Sequence, residues 1–424
     1  MRAIDPPVSA GARKRWWTDE RLLVICGSTS LVMAGQGVVS PVLPFYARDF
    51  GVSTAVVGLT FTAFGLARLV LNVPAGLWAD RAGRRVLLVG GPILTAIGMI
   101  GSGLAPSIWA LLAWRLVAGA GSALYMTGAQ IYLIDIAAEE LRARYVATNQ
   151  GALLLGVSIG PAIGGLLAEA YSLRTPFLVV GVGAAFTALY GFLRLPETRG
   201  SAAISPTDAT ADNPTADDAS GTPTERRRAQ LAFLTSSQFV AIGLVSMAMF
   251  AIRAGFRQTL VPLHAADAFG FSTGDLGIVF TALGVLALVL IGPAGWAADR
   301  FGRKAVIIPT GVISAVGVLV TAGAPVLELF LIGIVITAIG TGVTGPAPAA
   351  FVADIAPADQ RGAAMGLYRT WGDLGIVLAP VLAGALADVT SIPVAMAAIS
   401  AVAFAGVGWF QLVGREPERA VSPS

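Results

Sequence analysis

The sequence predicts an all-α membrane protein whose twelve transmembrane helices form two pseudosymmetric six-helix bundles. Three observations lead there: the composition, a series of long apolar runs, and a repeat that spans the chain. Of the 424 residues, 55% are hydrophobic and 12% charged, against about a quarter charged in soluble domains. A helix needs about twenty apolar residues to cross the hydrocarbon core. Such runs fall over 22–46, 54–79, 86–105, 108–133, 145–169, 175–193, 238–263, 273–298, 305–323, 326–352, 362–387 and 392–412. They are continuous, not alternating, which excludes a membrane β-barrel. Finally, GLWADRAGRR from Gly76 recurs as GWAADRFGRK from Gly295, a step of 219 residues. Without a gap, the same step carries Phe50-Gly51 onto Phe269-Gly270, Asp135 onto Asp354, Gly156 onto Gly375 and Pro161 onto Pro380.

A duplicated unit of about two hundred residues is far too long for a solenoid repeat and has the size of half a transporter. The chain divides accordingly into a tail (1–20), a first bundle (21–195), a linker (196–235), a second bundle (236–413) and a tail (414–424). The linker, with its run SPTDATADNPTADDASGTPTERRR, has almost nothing to bury and is expected to be a disordered tether.

Orientation follows from Lys and Arg, which stay on the cytoplasmic side. Arg13, Lys14, Arg15, Arg81, Arg84, Arg85, Arg142, Arg226, Arg227, Arg228, Arg300, Arg303, Lys304 and Arg361 all fall on one side, and Arg48 and Arg174 on the other. Both termini are therefore expected in the cytoplasm, with the chain multi-pass in the plasma membrane. The net charge of +3 needs no nucleic-acid partner, because the basic residues are spread over loop ends and form no patch. Arg226 to Arg228 read first as a plain topology signal, with contact to anionic lipid headgroups as the second reading. The basic start and first apolar run lack a small-residue cleavage site and read as a retained helix.

Enzymatic readings find little support. His264 is the single histidine and Cys26 the single cysteine, so no multi-histidine metal centre and no internal disulfide is available. No Ser/His/Asp set assembles at one depth, and no G-x-x-x-x-G-K-[ST] string holds a nucleotide. No metal or cofactor is expected, and transport driven by an ion gradient is what remains.

The string G-x-x-x-D-R-x-G-R occurs in both copies: Gly76, Asp80, Arg81, Gly83 and Arg84, then Gly295, Asp299, Arg300, Gly302 and Arg303. The first glycine is expected to admit a neighbouring helix and the second to permit a tight turn. Each aspartate suits the N-terminal turn of an adjacent helix. These two loops resemble the signature motif of the major facilitator superfamily, and the resemblance covers the chain apart from its tails and linker. It implies the two-bundle fold named for that family and a monomer. It also implies that each loop is a latch, Asp80 meeting the start of the eleventh helix near Arg361 and Gly362, and Asp299 doing the same near Arg144.

RLVAGAGSA from Arg115 resembles the fourth-helix motif of proton-coupled members, in which a buried arginine influences proton movement. GALLLGVSIGPAIGG from Gly151 is similar to the fifth-helix motif of the drug/proton antiporter branch. There Gly156, Gly160, Gly164 and Gly165 make a groove of small residues and Pro161 bends the helix, a pattern that also suits tight packing between the halves.

Charges inside the bilayer are costly and so informative. By span position they are Arg68, Arg115, Arg253, Arg257, Arg369 and Asp373. Asp373 is the only acid near mid-depth, and Arg68 lies at a similar depth on the second helix. The resemblance places helices two and eleven face to face, so Arg68 and Asp373 are candidates for an ion pair that protonation breaks. Arg369, one turn before Asp373, is the local alternative partner. The resemblance also lines the cavity with helices one, four, seven and ten, giving Gln36, Tyr125, Gln130, Met249, Phe250, Arg253 and Arg257 as substrate candidates. Apolar walls with few polar groups suit a lipophilic small molecule better than a sugar. Three readings stay open: a proton-coupled exporter of drug-like compounds, an uptake symporter or facilitator for a small and even anionic metabolite, and a non-transporting sensor.

Overall fold

The structure is a computed structural model that describes residues 16–198, 232–344, 347–357 and 360–416. The described chain is helical and contains no strand. Twelve helices are long and apolar enough to span a membrane: Glu20–Val39, Thr54–Ala82, Arg84–Gly103, Ile108–Ile136, Glu139–Ala170, Thr175–Arg194, Ser237–Phe269, Thr273–Phe301, Arg303–Ala322, Leu327–Ile355, Ala364–Val389 and Ile392–Val413. They are called spans one to twelve below. Residues 345 and 346 inside span ten lie outside the described residues, as do 199–231 of the expected linker and 417–424 of the expected C-terminal tail.

The duplication is written into the backbone. Thr54–Ala82 recurs as Thr273–Phe301, Arg84–Gly103 as Arg303–Ala322, and Arg142–Ala170 as Arg361–Val389, each shifted at both ends by the step read from the sequence. Among the described residues, the four glycines with positive φ form two pairs in the same register: Gly51 (70°) with Gly270 (69°), and Gly83 (97°) with Gly302 (103°). A residue with a Cβ resists these angles. Gly83 and Gly302 therefore reverse the chain between spans two and three and between spans eight and nine.

Two spans depart from the expected outline, each for a local reason. Span one stops at Val39, and a tight turn leads to a separate short helix, Leu43–Arg48. Ser40 keeps helical dihedrals and donates its N–H to Gly37 O, but Pro41 has no N–H with which to continue the ladder. Span seven runs six residues beyond the expected 263 and is π-helical from Ile252 to Leu260.

The described residues fall into two compact units, one within 1–42 and 66–213, the other within 43–65 and 214–424. The stretch 43–65, which precedes the midpoint of span two, thus belongs by packing with the second copy. Inside each unit small residues let spans approach to backbone contact. In the first, a Cβ on Gly98 would strike Ala118, and one on Gly121 would strike Thr95; in the second, Gly317 stands likewise against Thr337 and Gly340 against Ser314. These are the same positions of the repeat, so spans three and four and spans nine and ten pack by one rule. Without a hydrophobic drive between helices in lipid, such approach is a main source of association.

Candidate functional site

The loop after span two is tied down by a charge network that the loop after span eight repeats. Arg84 donates from Nε to Asp135 Oδ2 at 2.8 Å, and Asp80 lies 3.4 Å from its Nη2. In the second copy Arg303 reaches Asp354 at 3.4 Å and also pairs with Asp299. Arg84 and Asp135 are 14% and 11% exposed, whereas Asp80 and Asp299 are 67% and 72% exposed. The inner pair is thus sheltered in the first copy, whereas Asp354 of the second is 43% exposed, and the outer carboxylate is accessible in both.

Two residues of this network escaped the sequence reading. Glu197 accepts the backbone N–H of Arg84 at 2.9 Å and of Arg85 at 3.1 Å, capping span three. Glu416 accepts the N–H of Lys304 at 2.8 Å and so caps span nine. A carboxylate at a helix N-terminus satisfies orphan N–H groups and meets the positive end of the dipole. A Cβ on Gly83 or Gly302 would collide with these carboxylates, which gives each turn glycine a second reason. Arg85 donates to Phe192 O at 2.6 Å, and Lys304 to Gln411 O at 2.8 Å. All these partners obey the repeat step, which was the signal that could have found them.

Gly76 and Gly295 do not do what was expected of them. No described atom lies within 4 Å of where a Cβ would stand on either, so a side chain there would meet open space. Arg81 and Arg300 are exposed, and Arg300 lies over the Trp296 ring at 5.4 Å, an arrangement suited to a membrane interface.

The other end of the second unit is closed by polar contacts on the stretch 43–65. Arg48 forms a two-pronged pair with Asp267 at 2.6 and 3.1 Å. These two residues are one repeat step apart, so equivalent positions of the copies carry opposite charges and meet. The hydrogen bond to Asp267 holds the Arg48 guanidinium above its ordinary pKa. Both side chains are about half exposed, 49% and 45%, so the pair contributes on the order of 0.2–1 kcal/mol. Asp388 caps span two by accepting from Thr54 N at 2.8 Å and Ala55 N at 2.9 Å. Gly58 presses on the backbone of Pro380, and Thr62 donates to Val377 O at 2.6 Å.

The glycine groove of span five has its partner inside its own unit. A Cβ on Gly156 would strike the backbone of Ser30 and Ala34, on Gly160 that of Ala34 and Val38, and on Gly164 that of Val38. Gly165 and Pro161 are buried beside them. Span one, in the same unit, thus fills the groove. In the second unit Gly375 takes the equivalent place against Met247 and Ala251 of span seven.

The mid-membrane candidates separate into distinct settings. Arg115 is 4% exposed and points one guanidinium nitrogen at Met99 Sδ, 4.0 Å away. Arg68 and Asp373 are partly buried, the first in the first unit and the second in the second. Among the described residues no ion pair joins Arg369 to Asp373. Tyr125 does not line a cavity: it is 1% exposed and bonded to Thr29 Oγ1 at 3.0 Å and Ile25 O at 3.2 Å. Met249 packs between the two apolar cores of the second unit. Gln36, Gln130, Phe250 and Arg257 keep partial exposure and Arg253 is exposed. A shallow cleft of about 490 Å³ lies against Lys304, Pro309 and Glu416, at the loop network and far along the chain from these groups.

The sequence profile of the Major Facilitator Superfamily matches residues 25–256 and 242–424. The chain is a member of that superfamily. It is 25% identical over 380 residues to Multidrug resistance protein 1 of Bacillus subtilis, covering 87% of this chain and 90% of the relative. It is 25% identical over 382 residues to the quinolone resistance protein NorA of Staphylococcus aureus, covering 88% and 91%. These relatives bear out the likeness to the drug/proton antiporter branch. In fold it is similar to a bacterial homologue of the human lysosomal transporter Spinster, with a TM-score of 0.78 at 16% identity over 93% of this chain and 96% of the other. This superfamily protein is accordingly a multi-pass membrane transporter of small molecules and not an enzyme.

Proposed function

We propose that this superfamily member is a proton-coupled antiporter that exports lipophilic, drug-like molecules across the plasma membrane by alternating access. Its full-length similarity to two resistance proteins carries the reading. The glycine groove of span five, the apolar walls of the spans and the paired loop networks agree with it. The chain works as a monomer with both termini in the cytoplasm, so that the two loop networks face inward. Asp373 is the proton carrier in this scheme: it is the one acid near mid-depth, where a permanent charge is costly.

Expression in a host lacking its major exporters tests the reading. Accumulation of a quinolone is expected to fall severalfold relative to an empty host and to recover when a protonophore collapses the gradient. A rise in accumulation would instead establish uptake, and a fall insensitive to the protonophore would remove proton coupling.

A further inference from the structure

Arg253 stands at the midpoint of span seven, Ser237–Phe269, about 24 Å of helix from either end at about 1.5 Å per residue. Between Gln238 and Ala266 it is the only exposed residue, and that stretch carries no exposed large hydrophobic. Span eight, by contrast, exposes Ile278, Val285, Val289, Ile291 and Trp296, as a lipid-facing helix does. Over this stretch span seven thus exposes no large apolar side chain, and its one exposed residue, at mid-depth, is an arginine. Arg257, one turn further on, lies within electrostatic range of Arg253 and makes no ion pair or hydrogen bond among the described residues. Two like charges one turn apart at this depth repel each other.

The repeat separates the pair from the architecture. Its step sets Arg253 against Ala34 and Arg257 against Val38, and span one is regular α-helix over both positions. Only the second copy carries the arginines, and only there is the backbone π-helical, with Thr259 Oγ1 donating to Ala254 O at 2.9 Å. Single-turn π segments inside helices cluster at functional sites. The first copy shows that neither the charges nor the wider turn is needed to build a bundle.

We propose that Arg253 and Arg257 form the headgroup subsite of the transported molecule, so that its substrates are amphipathic organic anions: a sulfonate, carboxylate or phosphate on an aromatic or alkyl body. This rests on the transporter reading given above. Guanidinium groups present paired N–H donors that match oxyanions two at a time, and two of them offset one or two negative charges in a dry site. Phe250, three residues before Arg253 and partly buried against Gly372, supplies an aromatic wall for the apolar body.

The test uses the purified full chain in detergent with two fluorescent probes of one shape, 1-anilinonaphthalene-8-sulfonate and its uncharged parent N-phenyl-1-naphthylamine. The wild type is expected to bind the sulfonate at least tenfold more tightly than the amine. Arg257→Gln is expected to lose that preference while keeping its thermal midpoint and its affinity for the amine, and Arg257→Lys to keep part of it. If Arg257→Gln does not fold, Arg253→Gln is read in its place. Equal affinity for the two probes in the wild type, or undiminished sulfonate binding in the glutamine variant, overturns the assignment. Transport is scored separately in vesicles: charge-selective binding without transport leaves the subsite standing and removes the transporter reading. Transport with charge-blind binding does the reverse.

Discussion

Glu197 and Glu416 are each a single carboxylate closing a helix start, yet each holds a whole loop in register. Removing such a cap costs about 1 kcal/mol, which for a unit of 150–250 residues lowers the thermal midpoint by about 2–4 °C. Glu197→Ala and Glu416→Ala are each expected to show a loss of that size in detergent, because they occupy one position of the repeat. A midpoint unchanged by either would mean the cap is ornamental. Neither residue was picked out from the sequence, although the repeat step aligns them, because an acid beside a polar linker reads as part of the linker. Tyr125 failed for another reason. A helix apolar on every side gives no periodic signal for which face meets protein and which meets water, so its bond to span one was invisible until the neighbours were placed.

At the scale of elements, all twelve spans were legible, most of their ends to within about three residues. Length and apolar continuity are what the bilayer demands, and both are written in plain sequence. What stayed hidden were the places where backbone chemistry departs from that demand: the break at Ser40 before Pro41 and the π-helical segment of span seven. Glycines were half legible. Their spacing along span five announced a close contact, but not whether span one or the other bundle would fill it. The structure now makes the distinction testable. Gly160→Leu would drive a side chain into Ala34 and Val38, and overpacking of this kind costs about 1–3 kcal/mol. Gly76→Ala meets no described atom and is expected to leave stability within about 0.5 kcal/mol. Thermal midpoints of the two variants in the same detergent check the contrast; a Gly160→Leu protein as stable as the wild type would contradict the packing described.

At the scale of the whole molecule, duplication explains both what repeats and what does not. The loop networks, the turn glycines, Pro74 with Pro293, Pro161 with Pro380 and most helix boundaries recur because both copies solve the same problem of folding in a bilayer. The mid-membrane charges do not recur: Arg68, Arg115, Arg253, Arg257 and Asp373 each face an uncharged residue across the repeat step. Evolution has kept the common scaffold twice and written the chemistry once. Asymmetric charge is thus where the proposals above place function, with Asp373 proposed to carry the proton and Arg253 and Arg257 proposed to receive the solute.

Proton exchange is measured most directly in proteoliposomes loaded with a pH-sensitive dye, with a quinolone added under an imposed pH gradient. The wild type is expected to move protons against the flow of the drug, and Asp373→Asn to bind the drug while losing at least tenfold of the drug-dependent proton movement. Drug movement with no accompanying proton flux in the wild type, or full proton exchange in Asp373→Asn, would contradict the account.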